Sequence, residues 1–562
     1  MKPKRKGGGR MRQTVLRGSV WLIASALTAK LLGAVFRIPL TAMLGGGGMG
    51  YYACAYGLFL PVFALSVTGM NTAVAALTAQ CLGRCDPAGA DRIPLLARRM
   101  FGLSGLAGSL LLYFGAVPLC EAMGNPGAAF AVRLFSPAVW LCCMNAVLRG
   151  AAEGRSDMVP TAVSQVTEGI GRLCFGLLLC RWALRNPARL MRFAPAGTSP
   201  EAAAAAAAVF GVTLSAAVGT LTLLFLRAAR RGTPASGTPK QSDAALRRAL
   251  LRLLLPIAAA SLVTNLTTLI DMATAIRLLT AAARRSPEQF PFGGSTPEET
   301  ANFCFGAFSG MAMTVFNLVP SVTNNFGKSV LPAFASSYAR QRPDETAFHA
   351  QTVMRRTAFF AVPAGLGITV LAQPVLSVLF PLRMAEVSAA SPALCVLGIG
   401  VIFTAMVSPV FSMMQAAGRA GDSVTAMLTG AAVKLLGNLL LIPRFHLSGA
   451  AASTLLCYAV IWMRASALFY RSTGIRLRLL RICGRALAAG LLCAFAAGAV
   501  YPLIAVRFHP AAALFCAVCA GGCCDLAVYV LLSPHGLDRF RTVRYNKRRA
   551  VPETDSERSS IG

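Results

Sequence analysis

Residues 15–36 read VLRGSVWLIASALTAKLLGAVF. An α-helix rises about 1.5 Å per residue, so about 20 mainly apolar residues are needed to cross the ~30 Å hydrocarbon layer of a bilayer. This run has that length, with Arg17 near its start and Lys30 deep inside it. The basic leader before it, MKPKRKGGGRMRQ, resembles the n-region of a signal peptide. The apolar stretch is longer than an h-region, however, and no A-x-A site ends it, so it reads as a retained first span.

The same measure carried along the chain places further spans near 50–80, 96–119, 128–150, 158–183, 201–227, 250–283, 300–335, 352–372, 388–415, 422–443, 447–470, 482–506 and 510–533. Composition agrees, since 56% of the 562 residues are hydrophobic and only 13% are charged. A soluble protein of this size carries about 25% charged residues to cover its surface. The expected fold class is an all-α membrane protein of about 14 transmembrane helices.

The net charge of +33 could signal a nucleic-acid partner. Here the basic residues fall in short clusters between apolar runs, with no interleaved aromatic residues, so no nucleic-acid binding is expected. That distribution follows the positive-inside rule. With the N-terminus inside, about 38 basic residues fall on inside segments and about 10 outside, which makes both termini cytoplasmic. The expected location is the cytoplasmic membrane of a bacterium.

Two short matches suggest an internal repeat. Ser66-Val67-Thr68 recurs as Ser321-Val322-Thr323, and Gly154-Arg155-Ser156-Asp157 is echoed by Gly418-Arg419-Ala420-Gly421-Asp422. Each pair is six spans apart, so the copies have the same orientation, as in transporters built from parallel repeats. The expected organisation is a basic cytoplasmic N-terminus (1–14) and an N-lobe of six helices (15–230). A Gly/Pro/Ser-rich linker (231–249) leads to a pseudo-symmetric C-lobe of six helices (250–470). Two C-terminal helices (471–533) and a basic tail (534–562) complete the chain.

The 17 cysteines lie mostly inside apolar runs, where Cys behaves as a small hydrophobe. Cys516, Cys519, Cys523 and Cys524 include a C-x-x-C, but no His or paired acid joins them, so they read as one helix face and no metal is expected.

Ionisable residues inside spans are costly and mark functional positions. The basic ones are Lys30, Arg133, Arg172, Arg277, Lys328 and Lys434; the acidic ones are Glu168, Asp271 and Asp525. A cavity with that basic excess suits an anionic cargo such as phosphate or pyrophosphate. Arg133 and Arg277, near span ends, can equally snorkel, and Glu168 and Arg172, four apart, can pair on one helix face. Lys30 and Lys434 lie roughly 18 to 22 Å into their spans and need a wet cavity or a partner, with Asp271 and Glu168 as the candidates.

No G-x-S-x-G, Walker A loop or H-E-x-x-H is present, and no carboxylate pair is spaced for acid–base work, so no enzyme is expected. Gly45–Gly48 lacks the Lys-Ser/Thr of a phosphate loop and reads as a flexible external turn. No cofactor is expected. Without an ATP site, transport would run on an H+ or Na+ gradient, on membrane potential, or on supply and removal of substrate.

Several stretches resemble a known family. LRGSVWLIASALTAKLLGAVFRIPLTAMLGGGGMGYY (16–52), LRGAAEGRSDMVPTAVSQVTEGIGRLCFGLLL (148–179), NLTTLIDMATAIRLL (265–279), FGAFSGMAMTVFNLVPSVTNNFGKSVLPAFA (305–335) and AAGRAGDSVTAMLTGAAVKLLGNLLLIPRFHLSGAAASTLLCYAV (416–460) are similar to the stage V sporulation protein B group. That group belongs to the multidrug/oligosaccharidyl-lipid/polysaccharide exporter superfamily, which also contains the lipid II flippase. The resemblance implies two six-helix lobes around a cavity that opens alternately to each side. It also implies a lipid-linked glycan as partner and cargo, and a groove for the lipid tail formed by the last two spans. Lys30 and Arg37 match positions where the lipid II flippase has essential arginines. The chain departs from that flippase at Tyr51 and Tyr52, which replace an acid, and after Pro61, where its arginines are lacking.

The expected function is therefore alternating-access movement of an undecaprenyl-pyrophosphate-linked oligosaccharide or peptidoglycan precursor, in cell-wall or spore-cortex synthesis. Arg37 joins Arg172, Arg277, Lys328, Lys30 and Lys434 as cavity cations, while Glu168, Asp271 and Asp525 are the ion-pair or ion-coupling candidates. A multidrug/cation antiporter would want membrane acids around its cargo, against the basic excess. A polyprenyl-linked glycosyltransferase would need a large external loop bearing acids or His, and the outside loops near 184–200 and 284–299 are short.

Overall fold

The computed structural model describes residues 7–67, 69–229, 241–290, 296–477 and 479–531. Residues 1–6, most of the expected linker and the whole basic tail lie outside the described residues.

The chain opens with α1 (Gly7–Ser66), followed by α2 (Met70–Gly83), α3 (Pro87–Phe114), the short α4 (Ala116–Ala122) and α5 (Ala129–Phe135), and α6 (Pro137–Glu153). Next come α7 (Val159–Arg185), α8 (Pro187–Met191), α9 (Pro200–Ala229) and α10 (Asp243–Arg285). A π-helical turn, Phe308–Ala312, separates α11 (Pro297–Ala307) from α12 (Met313–Ala339). The remainder is α13 (Pro343–Val370), α14 (Ala372–Leu379), α15 (Met384–Ala416), α16 (Ala420–Thr473), α17 (Leu479–Ala505) and α18 (Pro510–Leu531). No strand occurs among the described residues, as expected of a chain that satisfies its backbone inside a bilayer.

Two of these helices are broken. In α16 the break is at His446 (φ 51, ψ −124). Its 54 residues would reach about 80 Å if straight, far beyond the ~30 Å of hydrocarbon. The two halves instead fold back on each other. Gly430 faces Ile461, Gly437 faces Ser453 and Gly449 faces the Leu441 carbonyl, the glycines allowing close antiparallel contact. In α1 the break is at Gly45 (φ 64, ψ −169), a conformation open to glycine because it has no Cβ. The expectation of a flexible glycine turn is corrected here, because only Gly45 leaves the helix. Gly46, Gly47 and Gly50 are helical and packed, and a methyl group on them would strike Phe303, Glu201 and Asn302 respectively.

Eleven helical runs among the described residues are long and apolar enough to cross a membrane. The number is twelve if α13 and α14, bent by 80°, form one broken span. Length and composition thus do not reach fourteen; two of the eleven runs, Val35–Gly83 and α16, each contain one of the breaks just described.

The three largest clusters of buried side chains are one shared core and two separate ones; two small clusters, around Met427 and around Ala517, lie in the second half of the chain. The shared core joins both halves of the chain through residues such as Leu40, Cys120, Ala205, Met272, Phe308 and Leu397. A second core unites α2, α3, α6 and the start of α10 around Met70, Ile93, Val147 and Leu250. A third unites α12, α13, α15, α16 and α17 around Phe334, Met354, Met406 and Phe469. The halves are therefore fused at one end of the bundle, and at the other end each has its own core. Among the described residues α10 runs between them, packing on α2 and α3 with its first turns and on α16 further along.

Candidate functional site

The end where the halves fuse is sealed by polar groups that the break in α1 leaves without helical partners. A helix terminus exposes carbonyls at its C-terminal side and N–H groups at its N-terminal side. Arg383 donates from Nε to the Ala42 carbonyl and from a terminal nitrogen to the Met43 carbonyl, each at 3.0 Å. The Gly46 N–H donates to Glu386 Oε1 at 3.2 Å, and Arg383 and Glu386 pair with each other at 3.6 Å. Asn302 donates to the Gly47 carbonyl at 2.8 Å and accepts from Asn125 at 2.7 Å. The seam thus runs between α1 and the later elements α11 and α15. Arg383, Glu386 and Asn302 are not among the residues that the sequence singles out; the Gly45–Gly48 run is the one signal pointing here.

Arg37 belongs to the same seam. Its guanidinium donates to the Ser309 carbonyl in the π-helical turn at 2.8 Å, and its buried Nε has no protein partner. Thr41, one turn on, reaches the Gly310 carbonyl at 3.3 Å.

In the first half of the chain, Glu168 is bracketed by two arginines. Arg149 binds Glu168 Oε2 at 2.8 Å and donates from Nε to Ser164 Oγ at 2.9 Å. Arg172 binds Glu168 Oε1 at 3.2 Å, while its buried Nε is unpartnered. The expected Glu168–Arg172 pair is present, and it is one side of a triad with a net positive charge. Arg149 is not among the span residues that the sequence singles out. Its place one turn before the end of α6 was the available signal.

In the second half, Lys434 is 1% exposed. Its ammonium lies 2.8 Å from Asp271 Oδ1, donates to Thr454 Oγ1 and lies 3.5 Å from the Ala450 carbonyl. Asn438, one turn along α16, donates to Asp271 Oδ1 at 3.0 Å and Thr274 Oγ1 at 2.8 Å. The folded-back α16 supplies both sides of this enclosure, since Lys434 comes from its first half and Thr454 from its second. The lysine faces a carboxylate and two protein oxygens, which meets the need for a partner at its depth.

The other expected residues lie apart. Arg277 is exposed on α10, with Gly124 against its side chain. Arg133, on α5, has a buried, unpartnered Nε. Asp525 is buried in α18 and its Oδ1 has no protein partner. Lys30 and Lys328 lie along α1 and α12, and their side chains are outside the described residues. Among the described residues, no group of three or more His, Cys, Asp or Glu is placed to hold a metal.

Comparison with known proteins follows the same lines. A family model described as polysaccharide biosynthesis protein matches residues 15–338, and one described as lipid II flippase MurJ matches residues 299–517. Stage V sporulation protein B of Bacillus subtilis is 23% identical, over 96% of this chain and 98% of its own length. The uncharacterized membrane protein YabM of Bacillus subtilis is also 23% identical, over 81% of this chain and 79% of its own. Among solved structures, lipid II flippase MurJ in an inward closed conformation superposes with a TM-score of 0.66, covering 92% of this chain and 99% of that one at 14% identity. An inward-facing multidrug resistance MATE family transporter gives 0.59, covering 79% and 96%, also at 14% identity.

Proposed function

The chain belongs to the polysaccharide biosynthesis protein family, and from that premise we propose that it carries an undecaprenyl-pyrophosphate-linked oligosaccharide or peptidoglycan precursor across the cytoplasmic membrane by alternating access. At the coarser level it is a multi-pass membrane transporter of the flippase type rather than an enzyme. The observation that carries the reading is the arrangement of cores. Two halves that share packing at one end and hold separate cores at the other form a body that can open at either end by rocking about α10.

The charge pattern supports an anionic headgroup. Glu168 is matched by two arginines and Asp271 by Lys434, so neither acid is left over for a cationic drug. The unpartnered Nε groups of Arg37 and Arg172 are donors of the kind that pyrophosphate accepts. In this reading both termini and the 231–249 linker lie in the cytoplasm, residues 15–230 and 250–470 are the two lobes, and the last two spans guide the lipid tail. Cell-wall or spore-cortex synthesis is the corresponding role, and Asp271, Glu168 and Asp525 are the sites where an ion gradient could couple.

The test is flipping in proteoliposomes. Full-length protein is reconstituted with a fluorescent undecaprenyl-pyrophosphate oligosaccharide, and its transfer between leaflets is followed with a membrane-impermeant quencher. Transfer faster than in protein-free vesicles is expected. Transfer at the protein-free rate, for both oligosaccharide and peptidoglycan-precursor headgroups, would overturn the proposal.

A further inference from the structure

A cavity of about 870 Å³, lined by none of the seam or ion-pair residues, opens among α3, α6, α7 and α9. Every residue lining it comes from positions 91–228, so the second half of the chain takes no part. It lies at the end of the bundle where each half has its own core, beside the α6–α7 connection and the end of α9.

The lining has two characters. Toward the helix ends stand Arg98, Arg155 and Arg227, with Asp91 and Asp157 among them. Arg155 pairs with Asp91 and still has donors to spare, because a guanidinium carries five N–H groups. Three guanidiniums against two carboxylates leave one net positive charge. Toward the middle of the bundle the lining is apolar, with Pro94, Leu95, Leu148, Leu223 and Leu224. Leu95 and Leu224 are 40% and 42% exposed, and further along the same helices Leu103, Leu106 and Leu221 are bare as well. A polar pocket of single positive charge thus continues into an open apolar groove along α3 and α9.

The geometry points to a bound anionic phospholipid, with its phosphodiester among Arg98, Arg155 and Arg227 and an acyl chain laid against Leu95, Leu148 and Leu224. A phosphodiester carries one negative charge, which matches the net charge of the pocket. Arginine suits it because its planar donors meet two phosphate oxygens at once. Basic pockets between spans at the cytoplasmic side are places where such headgroups bind. The groove continuing from the pocket favours a lipid over a soluble phosphate, which would leave those leucines uncovered. This site lies outside the route between the halves and does not depend on the cargo proposed above.

The experiment uses the full-length protein in phosphatidylcholine nanodiscs, into which phosphatidylglycerol is titrated; lipids retained after extraction are counted by native mass spectrometry. The wild type should retain phosphatidylglycerol over phosphatidylcholine by about five-fold, the preference expected of one net positive charge, and R98Q/R227Q should lose most of it. L95W keeps the charges but fills the groove, and should also weaken retention. Equal retention of the two lipids by the wild type would overturn the proposal, as would an undiminished preference in both variants. Equal thermal stabilisation by sn-glycerol 3-phosphate would reassign the pocket to a soluble phosphate and overturn it too. Should R98Q/R227Q fail to fold, wild-type protein is crosslinked with a photoreactive phosphatidylglycerol. Adducts within 91–98 or 223–228 support the site, and adducts found only elsewhere overturn it.

Discussion

Lys434 and Asp271 meet at 2.8 Å across α16 and α10, with side-chain exposures of 2% and 16%. Each charge is costly alone at that depth, so removing one partner strands the other. Lys434→Met should therefore destabilise the protein by about 3–5 kcal/mol, and Asp271→Asn by a similar amount. The double variant should recover much of that loss, because no uncompensated charge remains. Thermal unfolding of the four proteins in one detergent measures this, and additive losses would deny the pairing.

Arg383 and Glu386 satisfy the backbone groups freed at Gly45. Charge-assisted hydrogen bonds of this kind contribute roughly 1.5–3 kcal/mol each. Arg383→Ala should loosen the fused end, whereas Glu386→Gln, which keeps an acceptor, should disturb it less. Cys304, 4% exposed on α11 beside this seam, is a built-in reporter. A membrane-impermeant maleimide should modify it several-fold faster in Arg383→Ala than in the wild type, quantified by peptide mass spectrometry; unchanged labelling would remove Arg383 from the seal.

Arg37→Ala should cost more transport than Arg444→Ala. Arg37 ties α1 to the Ser309 carbonyl, while Arg444 is exposed near the bend in α16. A loss of one charge-assisted hydrogen bond predicts about a ten-fold fall in flipping rate for the first. The second should stay near the wild-type rate. Comparable rates for the two would show that the Ser309 contact is incidental.

Gly306→Ala tests the same seam sterically. Its new methyl would strike the Gly46 carbonyl, a backbone atom with no rotamer to yield. Overpacking of this sort costs about 1–3 kcal/mol, and it should fall on the fused arrangement alone. Reduced transport with normal membrane insertion is expected. Wild-type transport would mean that the two backbones can separate locally at no cost.

The fold was largely legible because hydrophobic run length is a direct signal of a span. The bend in α16 shows this well, since the short polar interruption ending in His446 divides two runs that each reach membrane length. Partnerships were less legible. The depth of Lys434 demands a counter-charge, yet Asp271 and Glu168 qualify equally until packing brings one of them to it. Arg149 and Arg383 stand at the ends of apolar runs, where a charge usually faces water, and only the packing around the end of α6 and the start of α15 turns them inward. The glycine run was misread because a composition that usually means freedom also allows two backbones to touch.

The break at Gly45 has a consequence for solvent. While the fused end is shut, side chains from α11 and α15 satisfy the carbonyls and N–H of α1. When that end parts, the same backbone groups lose those partners, and lipid offers no replacement. Water has to enter as they separate, so this end can open only as a wet vestibule and never as a dry cleft facing the acyl chains. Opening therefore takes up a fixed complement of water molecules, and osmotic strength on that side acts as a restraint on the transport cycle.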